Sequence, residues 1–198
     1  MSKAALIVGA GDATGGAIAK AFAREGYVAC VNRRARNADQ LEGLAQSIRD
    51  EGYKAHAYAA DARIEDDVVA MVDAIERDVG PIEVAVFNIG ANVNFSVLDM
   101  TAQVYRKVWE MAAFAGFLMA RESARRMVER QSGTIIFTGA TASIRGGKGF
   151  SAFSGAKGAL RMLAQSMARE LGPQNIHVAH VIIDGGIDTA FIRGIRSD

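Results

Sequence analysis

Residues 4–26, AALIVGAGDATGGAIAKAFAREG, pass from a short apolar run through a glycine turn into an amphipathic stretch. A continuous apolar run bounded by glycine is how a strand buried on both faces of a parallel sheet reads. After the turn, Ile18, Ala21 and Phe22 share a helical face, Lys20, Arg24 and Glu25 lie between, and Gly26 is the stop. Strand, glycine turn and helix in that order begin a βαβ unit, and few chain topologies can follow from such a start.

The alternation continues to the end of the chain. Further strands are predicted at 27–33, 54–60, 82–90, 133–140 and 176–184. Helices are predicted at 37–52, with Asn37 or Asp39 as cap, and at 64–80, 101–130 and 150–172. This pattern predicts an α/β fold: a doubly wound parallel sheet of the Rossmann kind, three layers deep, with helices on both faces. Ligands of such sheets bind outside the carboxyl ends of the strands, where strand order reverses. A chain of 198 residues is long enough for one domain with a substantial core, so 1–198 is expected to form a single dinucleotide-binding unit.

Charge and composition narrow the partners. The net charge is +1 and charged residues are 23%, which gives no general electrostatic footprint for nucleic acid or a membrane surface. The longest apolar run, MAAFAGFLMA, is shorter than the roughly 20 residues that cross a bilayer. No secretory leader pattern precedes the first strand, and the chain reads as cytoplasmic. Its single cysteine, Cys30 in YVACV, excludes an internal disulfide framework and reads as core packing.

The turn VGAGDATGGAIA spaces Gly9, Gly11 and Gly15 as G-x-G-x-x-x-G between a strand and a helix. Glycines let backbone approach a pyrophosphate, and the helix start offers free N–H groups and the positive end of a dipole. Gly9, Gly11, Asp12, Ala13, Thr14 and Gly15 are therefore predicted to bind a dinucleotide. The second strand ends Asn32-Arg33-Arg34, where an enzyme choosing NAD carries an acid. A guanidinium there suits the 2′-phosphate of NADP, so NADP is expected and NAD remains possible. Asp12 in the turn would oppose the same phosphate.

With these features in view, the sequence resembles the short-chain dehydrogenase/reductase family over about residues 3–190. The family's turn T-G-x-x-x-G-x-G is matched by Gly9 and Gly15, with Val8 for the threonine and Ala13 for the middle glycine. Asp61, with Ala62 after it, matches the aspartate that meets the adenine. The family's N-N-A-G survives in half as Asn88 and Gly90 of Phe87-Asn88-Ile89-Gly90. Its Ile-x-Thr at the nicotinamide carboxamide is matched by Ile187 and Thr189, without the preceding proline. The resemblance implies a cofactor-dependent oxidoreductase acting on a ketone or alcohol of unknown identity. It also implies a homodimer or homotetramer through helices 101–130 and 150–171. Family members continue past this point with a substrate lid and a last strand, so both are expected to be missing here.

The active site departs from the family. Its Y-x-x-x-K sets a tyrosine and a lysine on one helix face, where the lysine lowers the tyrosine pKa and holds the nicotinamide ribose. Here Lys157 is present, but Phe153 fills the tyrosine position. The family's serine falls on Ala140 and its asparagine on Ala113. Of the catalytic serine, asparagine, tyrosine and lysine, only Lys157 remains. Turnover would need a proton from water, His180 or a threonine such as Thr141. The alternative is a non-catalytic NADP-binding sensor or structural subunit. No metal is expected: His177 and His180, three apart on a strand, face opposite ways.

Overall fold

The computed structural model describes residues 2–11 and 13–187. Strands β1 (Ala4–Val8), β2 (Val28–Arg33), β3 (Ala55–Ala59), β4 (Ile82–Phe87), β5 (Gly133–Ala140) and β6 (Ile176–Ile183) form one six-stranded sheet in the order β3-β2-β1-β4-β5-β6. Every pairing is parallel. The order reverses between β1 and β4, so their carboxyl ends form the crevice where such sheets take ligands.

Helices α1 (Thr14–Arg24) and α2 (Ala38–Asp50) cover one face of the sheet. Ala19, Ala23, Leu41, Ala45 and Ile48 meet Ala5, Ile7, Ala29 and Val31 there. The other face carries α3 (Glu65–Asp78), α4 (Ala102–Trp109), α5 (Ala115–Glu129) and α6 (Ser151–Leu171). Its core joins Leu6, Phe87 and Phe137 of the sheet to Met71, Ile75, Leu118, Met119 and Leu160 of those helices. Strand residues alternate between the two cores, which explains why β1 reads as an unbroken apolar run. The Cys30 thiol sits in the larger core, and burial pushes its pKa up to about 12, which leaves it unreactive.

The long helix predicted at 101–130 is interrupted. Thr101 caps α4 by accepting the Val104 N–H. A π-helical turn at Glu110–Phe114 then separates α4 from α5. Ala112 and Ala113 of that turn share a small core with Ala152 and Ala156 of α6. Small residues on both sides let α6 approach closely, and this fixes Phe153 and Lys157 against the sheet. Helix α2 also differs from expectation: a 3-10 turn at Ala35–Asn37 precedes it, and Asn37 caps it without a side-chain hydrogen bond.

Candidate active site

Two clefts open along the carboxyl ends of the strands. The larger, of about 760 Å³, is lined by Thr14, Thr138–Ala142, Arg145, Phe153, Ser154, Lys157 and Ile187, among others. The smaller, of about 310 Å³, is lined by Gly9, Gly11, Arg33, Arg34, Arg36, Asp61, Ala62 and Arg63, among others. Asn88 and Gly90 line both, so the clefts meet in front of β4.

The glycine turn forms the wall between them. Gly9 adopts φ +86°, and a Cβ there would lie 2.9 Å from the Asn88 carbonyl carbon. The Asn88 side chain donates to the Gly9 carbonyl at 3.2 Å, clasping the turn to β4. Gly15 is tighter still: a Cβ would stand 2.4 Å from the Gly9 oxygen. Ala13 is the N-cap of α1 without a side-chain cap, and the Gly16 N–H of the first turn donates back to the Gly11 carbonyl at 2.7 Å. Such a backbone cradle, too tight for a side chain, fits a pyrophosphate. Asp12 and Thr189 lie outside the described residues.

The smaller cleft gathers positive charge. Arg33 and Arg34 line it as the sequence implied, and Arg36 and Arg63 join them. Partial burial, then the repulsion of Arg36 and Arg63, pushes the Arg34 pKa down. Asp61 lines the same cleft, but its carboxylate is already held by the Arg63 guanidinium at 2.9 and 2.6 Å. That pairing, together with the Arg63 N–H, holds the Asp61 carboxyl below the usual carboxylate range. Asn32 is buried and spends its side-chain N–H groups on the carbonyls of Tyr58 and Ala60, so it shapes the floor.

The larger cleft is built around Lys157. Its side chain is only 3% exposed. Its Nζ donates to the carbonyls of Ile89 at 2.9 Å and Thr138 at 3.0 Å. It also lies 5.9 Å from the centre of the Phe153 ring. No carboxylate is paired with it among the described residues, and burial lowers its pKa to about 8. Phe153 and Ala140 both line the cleft, and neither side chain can exchange a proton. Ala113 lies in the π-turn core rather than in the cleft.

Of the replacement donors considered from sequence, the threonines are engaged, and the His180 ring nitrogens are buried without a hydrogen-bond partner among the described residues. Thr141 donates its hydroxyl to the Asp184 carboxylate. Thr138 donates to the Phe87 carbonyl at 3.1 Å. Ser143 accepts from the Ala140 N–H at 3.1 Å. His180 lies behind the cleft floor, where a Cβ on Gly139 would be 2.1 Å from its Cε1. Burial first, then Lys157 and Arg161, lower the His180 pKa and keep its ring neutral. His177 is exposed, and no cluster of three or more potential ligands suits a metal among the described residues. Among the described residues no helix is long and apolar enough to cross a membrane.

Sequence reasoning missed Arg36, Arg63 and the carbonyl anchors of Lys157. The first was visible as a run of arginines at 33, 34 and 36. Arg63 lies two residues from Asp61 in the same short segment, whereas the carbonyl anchors of Lys157 come from strand ends distant in the chain, for which there is no local signal.

Comparison with known proteins places these features. A family model described as short chain dehydrogenase matches residues 3–198. A crystal structure of a short-chain dehydrogenase from Rhodopseudomonas palustris is 50% identical, covers 99% of this chain and 90% of that one, and superposes with a TM-score of 0.88. The 2-dehydro-3-deoxy-D-gluconate 5-dehydrogenase of Formosa agariphila is 32% identical over 89% of this chain and 66% of its own length. The 5-keto-D-gluconate 5-reductase of Escherichia coli K12 is 29% identical over 98% of this chain and 75% of its own. The chain thus spans about two thirds to three quarters of the length of these curated relatives.

Proposed function

The chain belongs to the short chain dehydrogenase family, a family of oxidoreductases, and from that premise we propose that it binds NADP(H) and interconverts a ketone and its alcohol. One observation carries this reading: a groove with an arginine cluster at one end, a buried lysine at the other, and a glycine turn between them. When bound, a nicotinamide cofactor supplies or accepts the hydride. The chain's own residues bind and orient. Gly9, Gly11 and Gly15 admit the pyrophosphate to the start of α1. Arg33 and Arg34, helped by Arg36, take the 2′-phosphate, with Ala62 beside the adenine. Asn88, Gly90 and Ile187 border the nicotinamide half. NAD is the weaker fit, because among the described residues β2 ends in Asn32 and Arg33 rather than in a carboxylate that could accept the ribose hydroxyls.

The relatives' names point to keto and hydroxy acids of the gluconate type. Arg145, exposed on the cleft rim, suits the carboxylate of such a substrate. A non-catalytic NADP-binding role is the second reading, and Phe153 with Ala140 is the observation in its favour. In either reading α4, α5 and α6 form the face between subunits, where Tyr105, Trp109 and Met162 are exposed.

The arginine cluster is tested with the half-cofactor adenosine 2′,5′-bisphosphate against AMP. Calorimetry should show the bisphosphate binding at least tenfold more tightly, and Arg34→Ala should erase most of that preference. Equal binding of the two would remove the case for NADP.

A further inference from the structure

Of the described residues lining the larger cleft, only Lys157 and Arg145 are ionisable. A guanidinium does not release its proton near neutral pH. The hydroxyls of Thr138 and Thr141 are spent on other acceptors, and His180 is shut behind Gly139. The Thr14 and Ser154 hydroxyls also line the cleft but do not titrate near neutral pH, so Lys157 is the one lining side chain among the described residues that does.

The way it is anchored suits that exchange. An ammonium has three N–H bonds, and two of them go to the carbonyls of Ile89 and Thr138. One is left for the cleft. A neutral amine has two N–H bonds and a lone pair. It keeps both carbonyl bonds and turns the lone pair to the same place. Lys157 can thus pass between its charged and neutral forms without moving. A lysine held by a carboxylate could not do so, because it would lose its ion pair.

We propose that Lys157 itself, rather than a tyrosine, is the proton donor in ketone reduction and the proton acceptor in alcohol oxidation. The inference rests on the oxidoreductase reading above. In reduction the carbonyl carbon gains a hydride, with reduced nicotinamide as the reductant. The carbon–oxygen π bond breaks, and its electron pair takes the proton from Nζ as the N–H bond breaks. The products are the alcohol, the oxidised nicotinamide and a neutral amine, which solvent reprotonates. This makes Lys157 a catalytic residue rather than a holder of the ribose.

The surroundings place the exchange in an accessible range. Burial is what lowers the Lys157 pKa, while Lys157 and Arg161 of α6 in turn help lower that of His180 on β6. Helix α4 brings the Tyr105 hydroxyl to Gly155, and α5 meets α6 through Gly116 against Leu160. Glu110 of the π-turn acts on Arg63, and Asp184 after β6 is bonded to Thr141. With burial lowering its pKa to about 8, Lys157 is a proton donor below that pH and an acceptor above it.

The test combines a chemical and a kinetic readout. Reductive methylation with formaldehyde and cyanoborohydride, followed by peptide mass spectrometry, should modify Lys157 with a midpoint near pH 8, well before ordinary lysines. In parallel, NADPH binding is measured by calorimetry and NADPH consumption is followed with 5-keto-D-gluconate. Reduction at saturating NADPH should be level below about pH 8 and fall about tenfold per unit above it. Lys157→Arg keeps a cation but stays protonated at all these pH values. It should retain NADPH binding within a few-fold and lose roughly 10²–10⁴-fold in kcat. Lys157→Met should lose as much, and serves if the arginine disturbs the fold. Turnover of Lys157→Arg at the parent rate, a flat pH profile, or a Lys157 that titrates with the surface lysines would overturn the proposal. So would a parent protein that binds NADPH yet does not reduce the keto acid. Failure to bind NADPH would instead overturn the cofactor reading beneath it.

Discussion

The double variant Phe153→Tyr, Ala140→Ser should reduce 5-keto-D-gluconate with NADPH at least a hundredfold faster than the parent chain. Both positions line the larger cleft, and Phe153 already stands one helical turn from Lys157 with its ring 5.9 Å from Nζ. Adding the phenolic oxygen changes little in volume, so the small core of Ala112, Ala113, Ala152 and Ala156 that seats this part of α6 should hold. The nearby ammonium lowers the new phenol's pKa, as an opposite charge does for any group that ionises to an anion. A positioned acid is worth roughly 10²–10⁴ in rate, and a serine donor to the substrate oxygen adds a few kcal/mol more. The gain should appear in kcat. An unchanged rate in a variant that still folds and binds NADPH would mean the cleft does not present a carbonyl at this place, and would favour the non-catalytic reading.

The second large effect is expected at the glycine turn. Gly15→Val should abolish dinucleotide binding, weakening it by more than a hundredfold, and should lower the melting temperature by several degrees. The reason is local: even a Cβ at Gly15 would stand 2.4 Å from the Gly9 oxygen and 2.7 Å from the Ala10 Cα. Both are backbone atoms, so α1 must move away from β1. Gly9 cannot compensate, since it is itself against the Asn88 backbone. A shift of even ~1 kcal/mol moves the melting temperature of a domain this size by about 2–4 °C. Gly11→Ala is the contrast, because a Cβ at Gly11 meets nothing within 4 Å. It should fold like the parent. Normal binding by Gly15→Val would show that the turn is not a phosphate cradle.

The layers of the fold were legible because the chain writes them locally. Each strand is an apolar run with a glycine or polar stop, and the helices carry their apolar residues at helical spacing. Parallel strands follow from that alternation, whereas the order that puts the switch point between β1 and β4 is read only from the structure. The interruption at Glu110–Phe114 was not legible, since MAAF has the composition of an ordinary helix, and its contact with Ala152 and Ala156 of α6 is seen only in the structure. At the site, Gly9, Gly11, Thr14, Arg33, Arg34, Asn88, Gly90 and Lys157 could be picked out, because each sits at a strand end or on a short motif. What they bond to could not. Asp61 looked like an adenine contact, yet its carboxylate is engaged by Arg63, two residues on. Thr141 looked like a spare proton donor, yet its hydroxyl goes to Asp184, and the His180 ring is packed against Gly139 with both nitrogens buried and unpartnered among the described residues. Partners of this kind are set by side-chain direction and by segments far apart in sequence.

The most direct measurement is a calorimetric titration of the purified protein with NADPH and, separately, with NADH. Micromolar binding of NADPH, at least tenfold tighter than NADH and reduced to the NADH level by Arg33→Ala with Arg34→Ala, is the predicted result. No binding of either nucleotide would contradict the reading of the groove as a cofactor site, and the lysine at its end would then need another explanation.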